Sequence, residues 1–224
     1  MSFSKSLKEK TKLAWEDCYQ HPFVQKLGRG TLDKDVFIFY LKQDYKYLIE
    51  YAKVFALGVL KASDEQTMNN FTLSQKAILD EMNLHKKYMA DYGVSIEEAD
   101  KTIPSLFNLA YTSNMVAIGY NYGILELLVT VLPCAWTYHD FARRLKMDFK
   151  DALANNYYKS WIETYASDGF AESYQWFFPM IDKLCEGKNE MELEKITDIF
   201  RVSVEFEYLF WDMAYKRQMS YKNT

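Results

Sequence analysis

The 224-residue sequence is poor in the two residues that break regular structure, with 8 Gly and 4 Pro. Proteins rich in sheets and tight turns use both residues freely. Their scarcity therefore argues against a turn-rich β-protein and favours long helices. Aromatic residues, in contrast, are abundant, with 18 Tyr, 15 Phe and 5 Trp.

The sequence also lacks a large excess of either charge and lacks long apolar runs. The net charge is −4 and no basic stripe appears, so a nucleic-acid partner is not expected. The longest apolar stretch, residues 124–136, is too short to cross a bilayer and contains Glu126. Residues 1–12 are charged and lack the apolar core of a signal peptide. We therefore expect a cytoplasmic protein with no membrane partner.

Cysteine is scarce as well. Cys18, Cys134 and Cys185 lie far apart, and their number is odd. Their spacing matches no metal-binding motif, and secreted disulfide frameworks normally use an even number of cysteines. These residues are expected to be reduced thiols, with no metal site among them.

Apolar residues recur at three- and four-residue steps, which is the period of an amphipathic helix. No repeat, linker or low-complexity segment interrupts the chain, so we predict a single all-helical domain over residues 1–224. Helices are expected over 4–19, from Asp33 to about Val59, from the cap at Ser63 to about residue 92, and over 104–118. Further helices are expected around Cys134 and over 190–221. Gly28–Gly30 is predicted to be a loop.

Helix starts are predicted from side chains that accept hydrogen bonds from the first turn. Asp33 is one such cap, and capping boxes are expected at Ser63 with Gln66 and at Ser95 with Glu98. Pro104 suits the first turn of the helix that follows it. Three later helices are expected to begin at Asp148, Asp168 and Asn189.

Pro133 and Cys134 lie inside the helical pattern that runs from Ile124 to Leu145. Because proline has no N–H group, the helix is predicted to kink at Pro133. Tyr138 lies one turn beyond Cys134, on the same face. A free cysteine that fills a gap in the core is the simpler interpretation of this helix alone. A reactive thiol beside an aromatic hydroxyl is the alternative.

Two carboxylates are placed on apolar faces, where an unpaired carboxylate is costly. Asp44 shares a face with Tyr47, and Glu207 stands with Phe210 in an aromatic stripe. The simpler interpretation of Asp44 is that it lies at the edge of the core and meets solvent or a lysine. We expect burial to raise the pKa of Glu207, which suits proton transfer. Its neighbour Glu205 lies about 200° around the helix and is expected to be solvated.

Glu81 and His85 lie four residues apart on one helix face, so a structural pair that satisfies both side chains is the preferred interpretation. Tyr111, Trp161 and Tyr165 add further aromatic surface. Together these features suggest an aromatic pocket with one thiol and two carboxylates, suited to a flat, nitrogen-rich ring.

Seven short segments, spread in order over nearly the whole chain, carry a resemblance to a known family: His21–Phe23, Tyr40–Leu48, Glu81–His85, Tyr111–Ser113, Leu132–Tyr138, Trp161–Tyr165 and Glu207–Trp211. As an ordered set they resemble TenA, or thiaminase II, the family of aminopyrimidine aminohydrolases. The segments with Pro133–Cys134 and Glu207–Trp211 carry the most weight. Because Cys134 is present, the chain is similar to the cysteine-bearing branch of that family.

The resemblance implies a haem-oxygenase-like helical bundle without haem or another cofactor, usually assembled as a homotetramer. It also implies hydrolysis of 4-amino-5-aminomethyl-2-methylpyrimidine to the 5-hydroxymethyl compound, a step in thiamin salvage. Cleavage of thiamin to the same pyrimidine and a thiazole would be the slower related activity.

The resemblance also implies a role for each candidate site residue. Cys134 would be the nucleophile. Glu207 would bind the amino-imine side of the ring and shuttle protons there, and Asp44 would hydrogen-bond the ring and help to place protons. The aromatic residues that would stack on the ring or orient its polar atoms are Tyr47, Tyr111, Tyr138, Tyr165 and Phe210.

Two other classes of function remain as alternatives. A metal-dependent oxidase on a related helical scaffold would use Glu81, His85, His139 and Asp140. Di-iron sites of that kind need Glu-x-x-His on two helices, whereas this chain offers one Glu-x-x-x-His and an adjacent His139–Asp140 pair. A non-enzymatic regulatory or binding protein is the third possibility, and a thiol within a pocket argues against it.

Overall fold

The computed structural model of the protein describes residues 2–222, the side chain of Leu84 excepted. All regular elements in this part of the chain are α-helices: α1 Phe3–Lys10, α2 Lys12–Gln20, α3 Pro22–Arg29, α4 Lys34–Lys61, α5 Glu65–Asp91, α6 Ile96–Asp100, α7 Leu106–Asn121, α8 Ile124–Asp148, α9 Lys150–Leu153, α10 Lys159–Tyr165, α11 Asp168–Gln175, α12 Phe177–Cys185 and α13 Glu190–Lys216. The predicted all-helical class is confirmed.

The chain divides into two compact units. Unit 1 comprises Met1–Leu32 and Leu128–Trp211, and unit 2 comprises Asp33–Leu127 and Asp212–Thr224. The prediction of a single domain over residues 1–224 stays a prediction.

The core of unit 1 is built around buried aromatic side chains. The Trp15 ring lies against Trp136 with centroids 5.2 Å apart and stacks on Phe200 at 6.3 Å. Deep in the same unit, the hydroxyl groups of Thr130 on α8 and Ser203 on α13 share a hydrogen bond of 3.0 Å. One hydroxyl donates and the other accepts, so this bond links the two long helices inside the core.

Unit 2 is organised by α4, which packs against α5, α6 and α7. The buried Gln43 side chain on α4 fixes the start of α7. Its amide accepts a hydrogen bond from the Ser105 backbone N–H at 2.9 Å and donates to the Ile103 carbonyl at 3.0 Å. The Asn108 amide in turn donates to the Gln43 backbone carbonyl at 2.8 Å. These bonds set the position of α7 along α4.

Several predicted helix starts are confirmed. Asp33 caps α4 by accepting from the Asp35 N–H at 2.8 Å, and Ser95 caps α6 by accepting from Glu98. At the start of α13, Asn189 accepts from the Glu192 N–H at 3.0 Å, while the Glu192 carboxylate accepts from the Asn189 N–H at 2.9 Å. This reciprocal pair is a capping box.

Two other starts are displaced by one residue, because two side chains able to cap stand side by side, and the starts expected at Pro104 and Asp148 are wrong. Asp64, not Ser63, caps α5 by accepting from the Thr67 N–H. Ser167, not Asp168, caps α11. Pro104 was expected in the first turn of a helix, but it lies before α7, which Ser105 caps. Asp148 is the last residue of α8, where its carboxylate accepts from the Tyr19 hydroxyl.

The first predicted helix, over residues 4–19, is wrong in two respects. It is broken at Thr11 into α1 and α2. The apolar pattern also predicted that Leu13 faces the core, but Leu13 is 85% exposed, because it lies about 200° around the helix from the buried Trp15. The predicted loop at Gly28–Gly30 is also mostly helix, since Pro22 starts α3 and only Gly30, with φ of 71°, ends it.

The remaining boundaries differ less. Gly119 lies within α7, which continues to Asn121, and α13 ends at Lys216 instead of Tyr221. Pro133 lies inside α8, which runs from Ile124 to Asp148 as one helix. In residues 2–222 no helix is long and apolar enough to span a membrane.

Close packing between α4 and α5 predicts the effect of one substitution. A Cβ atom at Gly58 would overlap the buried ring of Phe71. Overpacking of this kind costs roughly 1–3 kcal/mol, and the better helix propensity of Ala offsets up to about 1 kcal/mol. Gly58→Ala should therefore lower the urea midpoint of unfolding, measured by circular dichroism.

Gly169→Ala is the matched control, because Gly169 also lies in a helix but a Cβ there meets nothing within 4 Å. It should unfold at the wild-type midpoint or slightly above it. Equal midpoints for Gly58→Ala and Gly169→Ala would show that the contact between Gly58 and Phe71 is looser than described.

Candidate active site

Cys134 lies on α8, directly after Pro133. Its side chain is partly exposed, whereas Cys18 and Cys185 are buried. A thiol must be accessible as well as ionisable to react. By exposure, Cys134 is the one of the three cysteines that a small molecule could reach.

Tyr138, one turn beyond Cys134, joins a buried aromatic cluster in unit 1. Its ring centroid lies 5.0 Å from Tyr165, 5.6 Å from Trp161 and 5.0 Å from Trp211. Trp161 and Tyr165, one turn apart on α10, are 4.6 Å from each other. The structure therefore brings the predicted residues Tyr138 and Tyr165 together and adds Trp161 and Trp211 to them.

Glu207 is buried on α13, with 2% of its surface exposed. Phe210 and Trp211, on the same helix, are buried as well, and Trp211 connects this helix to Tyr138. Glu205 is exposed and pairs with Arg201 at 2.6 Å. The predicted register of the last helix is thus confirmed, with Glu207 inside and Glu205 in solvent.

Cys18 is a buried neighbour of Glu207 that sequence reasoning did not connect to it. Burial raises the pKa of the Cys18 thiol, and the negative charge of Glu207 raises it further. The thiol donates to the Val204 carbonyl, with an S···O distance of 3.4 Å. Cys18 is therefore a protonated hydrogen-bond donor and a poor nucleophile.

Asp44 lies in unit 2 with 4% of its surface exposed. The Tyr40 hydroxyl donates to Asp44 Oδ2 at 3.2 Å, and His85 Nε2 lies 3.3 Å from the same oxygen. Burial raises the pKa of Asp44 to about 7, with the positive charge of His85 acting against it and the negative charge of Glu81 adding to it. A carboxyl group with this pKa can gain or lose a proton near neutral pH.

His85 is more closely engaged with Asp44 than the sequence pattern indicated. The predicted pair of Glu81 and His85 is present, with Glu81 Oε1 3.8 Å from His85 Nε2, but Asp44 is nearer. The sequence showed only the spacing of Glu81 and His85 on one helix. It gave no signal that the facing helix presents a carboxylate to the same imidazole.

Tyr47 and Tyr111 also meet in unit 2. Their ring centroids are 5.1 Å apart, and Tyr47 stacks with Tyr51 at 5.4 Å. The Tyr47 hydroxyl donates to the sulfur of Met115 at 3.5 Å. All these side chains are buried, so α4 and α7 form an aromatic surface in the same unit as Asp44.

The candidate residues thus form one group in each unit. Cys134, Tyr138, Tyr165, Glu207 and Phe210 belong to unit 1, and Asp44, Tyr47 and Tyr111 belong to unit 2. Each group combines ionisable side chains with aromatic rings, which can stack on a flat ligand. Each group therefore contains the residue types that a site for a heteroaromatic ring would need.

The residues considered for a metal-dependent oxidase are engaged elsewhere. His139 Nδ1 shares a hydrogen bond of 2.7 Å with the Tyr174 hydroxyl. Asp140 accepts from Lys8 at 2.7 Å and from the Trp15 indole at 2.9 Å. Over the described part of the chain, no group of three or more His, Cys, Asp or Glu side chains could hold a metal ion.

Comparison with known proteins agrees with these features. A protein from Halalkalibacterium halodurans named aminopyrimidine aminohydrolase is 43% identical over 220 residues, which is 98% of each chain. The solved structure of a TenA homologue from P. horikoshii is 28% identical, with a TM-score of 0.85 over 96% of this chain and 99% of that one. A Shewanella denitrificans domain described as haem-oxygenase-like aligns with a TM-score of 0.77 at 14% identity, over 95% of this chain and 92% of that one.

These likenesses define a helical protein of the haem-oxygenase-like fold, as predicted. The model of the TENA/THI-4/PQQC family matches residues 8–217. The chain belongs to that family.

Proposed function

We propose that the protein is an aminopyrimidine aminohydrolase of the thiaminase II type. It would convert 4-amino-5-aminomethyl-2-methylpyrimidine and water to the 5-hydroxymethyl compound and ammonia, and would cleave thiamin more slowly to the same pyrimidine and a thiazole. The observation that carries the proposal is the 43% identity, over nearly the full length of both chains, to a protein of that name. The accessible Cys134 and the buried carboxylates supply the groups that such a reaction needs.

Cys134 would act as the nucleophile. Its thiolate adds to the electron-poor ring carbon next to the one that carries the methylene, forming a C–S bond. The electrons placed in the ring then expel the amine and leave an exocyclic methylene. Water adds to that methylene, and the thiolate departs as the ring becomes aromatic again. One hard displacement is thereby divided into easier steps.

Glu207 and Asp44 would donate and accept the protons in these steps. Glu207 binds the amino-imine side of the ring and exchanges protons with it as the adduct forms and collapses. Asp44 hydrogen-bonds the ring, and its pKa of about 7 lets it donate or accept at neutral pH. Neither carboxylate is assigned to stabilising the Cys134 thiolate, because a negative charge raises the pKa of a thiol.

The aromatic residues would bind the ring. Offset stacking and edge contacts favour flat, electron-poor heterocycles, and Tyr hydroxyl groups orient their polar atoms. We assign this role to Tyr47, Tyr111, Tyr138, Tyr165 and Phe210. No cofactor or metal takes part in the proposed reaction.

The assembly and the cellular location of the enzyme are also proposals. We infer from the family resemblance that it is a homotetramer in the cytoplasm, with no nucleic-acid or membrane partner. A regulatory role without catalysis would regain support if the purified protein failed to turn over aminopyrimidines.

Purified protein incubated with the aminomethylpyrimidine should release ammonia, measured by a coupled assay together with formation of the hydroxymethyl product. Cys134→Ser should fold normally and lose most of this turnover, because sulfur is far more nucleophilic than a hydroxyl group near neutral pH. Cys18→Ser and Cys185→Ser are the matched controls and should keep most of the activity. An inactive Cys18→Ser beside an active Cys134→Ser would place the nucleophile on α2 instead.

Glu207→Gln should still bind the pyrimidine product, since the amide keeps the shape and part of the hydrogen bonding. It should lose on the order of 10²–10⁴ in turnover, the usual size of general acid–base catalysis. The control is Glu205→Gln, two residues away and exposed, which should be close to wild type. Kinetics and calorimetric product binding on both variants decide the matter, and a crippled Glu205→Gln with a normal Glu207→Gln would refute the assignment.

A further inference from the structure

We propose that His85 is a positioning residue for Asp44, which it holds in place and keeps available as a carboxylate. The inference rests on the proposed function for its effect on turnover. Its effect on Asp44 itself can be measured without any substrate.

The contacts of His85 define this role. His85 is fully buried on α5, and its Nε2 lies 3.3 Å from Asp44 Oδ2 on α4. Glu81, one turn earlier on α5, lies 3.8 Å from the same nitrogen. Both carboxylates therefore approach the same imidazole nitrogen, one deeply buried and one with its side chain 21% exposed. Two acidic groups this close favour the imidazolium form.

These contacts involve only one of the two carboxylate oxygens of Asp44. The Tyr40 hydroxyl and His85 Nε2 both lie next to Oδ2. None of the hydrogen bonds described for Asp44 involves Oδ1. A carboxylate can accept several hydrogen bonds on its two oxygens. One oxygen is therefore fixed by the protein, and the other can accept from the amine or ring N–H of a heterocycle.

The charges around Asp44 support the same role. Burial alone lowers the pKa of His85, but Asp44 and Glu81 outweigh it and raise the pKa above its usual value. The groups that act on Asp44 are His85 and Glu81 from α5 and Tyr40 from its own helix. Of the other helices packed on α4, α6 places Glu98 against Lys42 and Asp100 against Tyr45, and α7 carries no acidic or basic residue.

Loss of the His85 charge should raise the pKa of Asp44. The His85 charge and the Tyr40 hydrogen bond lower the pKa of Asp44, whereas burial and Glu81 raise it. Without the imidazolium, the raising effects meet less opposition. Asp44 should then hold its proton to a higher pH, and the carboxylate would be depleted under neutral conditions.

The test uses the full-length protein with His85→Gln, which keeps an N–H donor but removes the charge. Lys86→Gln is the matched control, since it removes one positive charge from the next position of the same helix. Two quantities are measured: the pH dependence of kcat/KM for the aminomethylpyrimidine, and the titration of the Asp44 carboxyl carbon by ¹³C NMR, assigned with Asp44→Asn.

In His85→Gln, the acidic limb of the pH profile and the Asp44 titration should both move to higher pH. A shift of about 1–3 units is expected, the usual size for loss of an opposite charge at this distance. Activity should recover in part as the pH is raised, because the carboxylate forms again. Lys86→Gln should match wild type in both measurements.

A further arm tests the part played by Glu81. The contact with Glu81 raises the pKa of His85. In Glu81→Gln, the imidazole of His85, followed by ¹⁵N NMR, should therefore titrate at lower pH than in wild type. Wild-type His85 should be an imidazolium at pH 6.5, and a neutral ring there would overturn the proposal even if His85→Gln failed to fold.

An unchanged Asp44 titration in folded His85→Gln would also overturn it, as would a uniform loss of activity at every pH with no displaced limb. The first outcome removes the electrostatic link, and the second leaves His85 only a packing role. If wild type shows no turnover while the Asp44 and His85 titrations behave as expected, the proposed function fails and the pairing of the two residues stands.

Discussion

The contact between Asp44 and His85 constrains unit 2, because it joins α4 and α5 through two buried ionisable side chains. Two ionisable side chains are almost completely removed from water, and each would be costly to bury alone. Their distance of 3.3 Å fixes the facing positions of α4 and α5, and Tyr40 supplies a further hydrogen bond to the same oxygen. The same two helices also pack closely further along, where Gly58 meets the ring of Phe71. The result is a carboxyl group whose pKa of about 7 suits proton exchange.

Unit 1 also contains a buried carboxylate, together with a cluster of aromatic side chains. Glu207 is buried on α13, and Cys134 lies on α8, one turn before Tyr138. Tyr138 contacts Tyr165, Trp161 and Trp211, so the helix that carries the thiol and the helix that carries the carboxylate meet through one cluster of rings. Rigid aromatic packing limits how far either group can move. Such preorganisation is what catalytic side chains need from their surroundings.

The sequence predicted the helical class because apolar spacing repeats along the chain with little Gly or Pro to interrupt it. It also predicted the burial of Glu207, since its helical neighbours are apolar, and the exposure of Glu205, but it left open whether Asp44 lies in the core or at its edge. Helix starts were predicted wrongly where two neighbouring residues can both cap a helix. Ser63 and Asp64 can both cap a helix, and spacing alone does not choose between them. The break at Thr11 and the pairing of His85 with Asp44 depend on contacts between distant segments, which no local pattern records.

The central claim is that Cys134 forms a covalent bond to the pyrimidine ring during turnover. It is tested most directly by mixing concentrated enzyme with the aminomethylpyrimidine, quenching with acid within one turnover, and locating any adduct by mass spectrometry of peptides, while ammonia is followed in parallel. The account predicts a pyrimidine-sized mass increase on the peptide that contains Cys134 and none on those with Cys18 or Cys185. An adduct on Cys18 or Cys185 would contradict it. So would a burst of ammonia equal to the enzyme concentration with no adduct on any peptide.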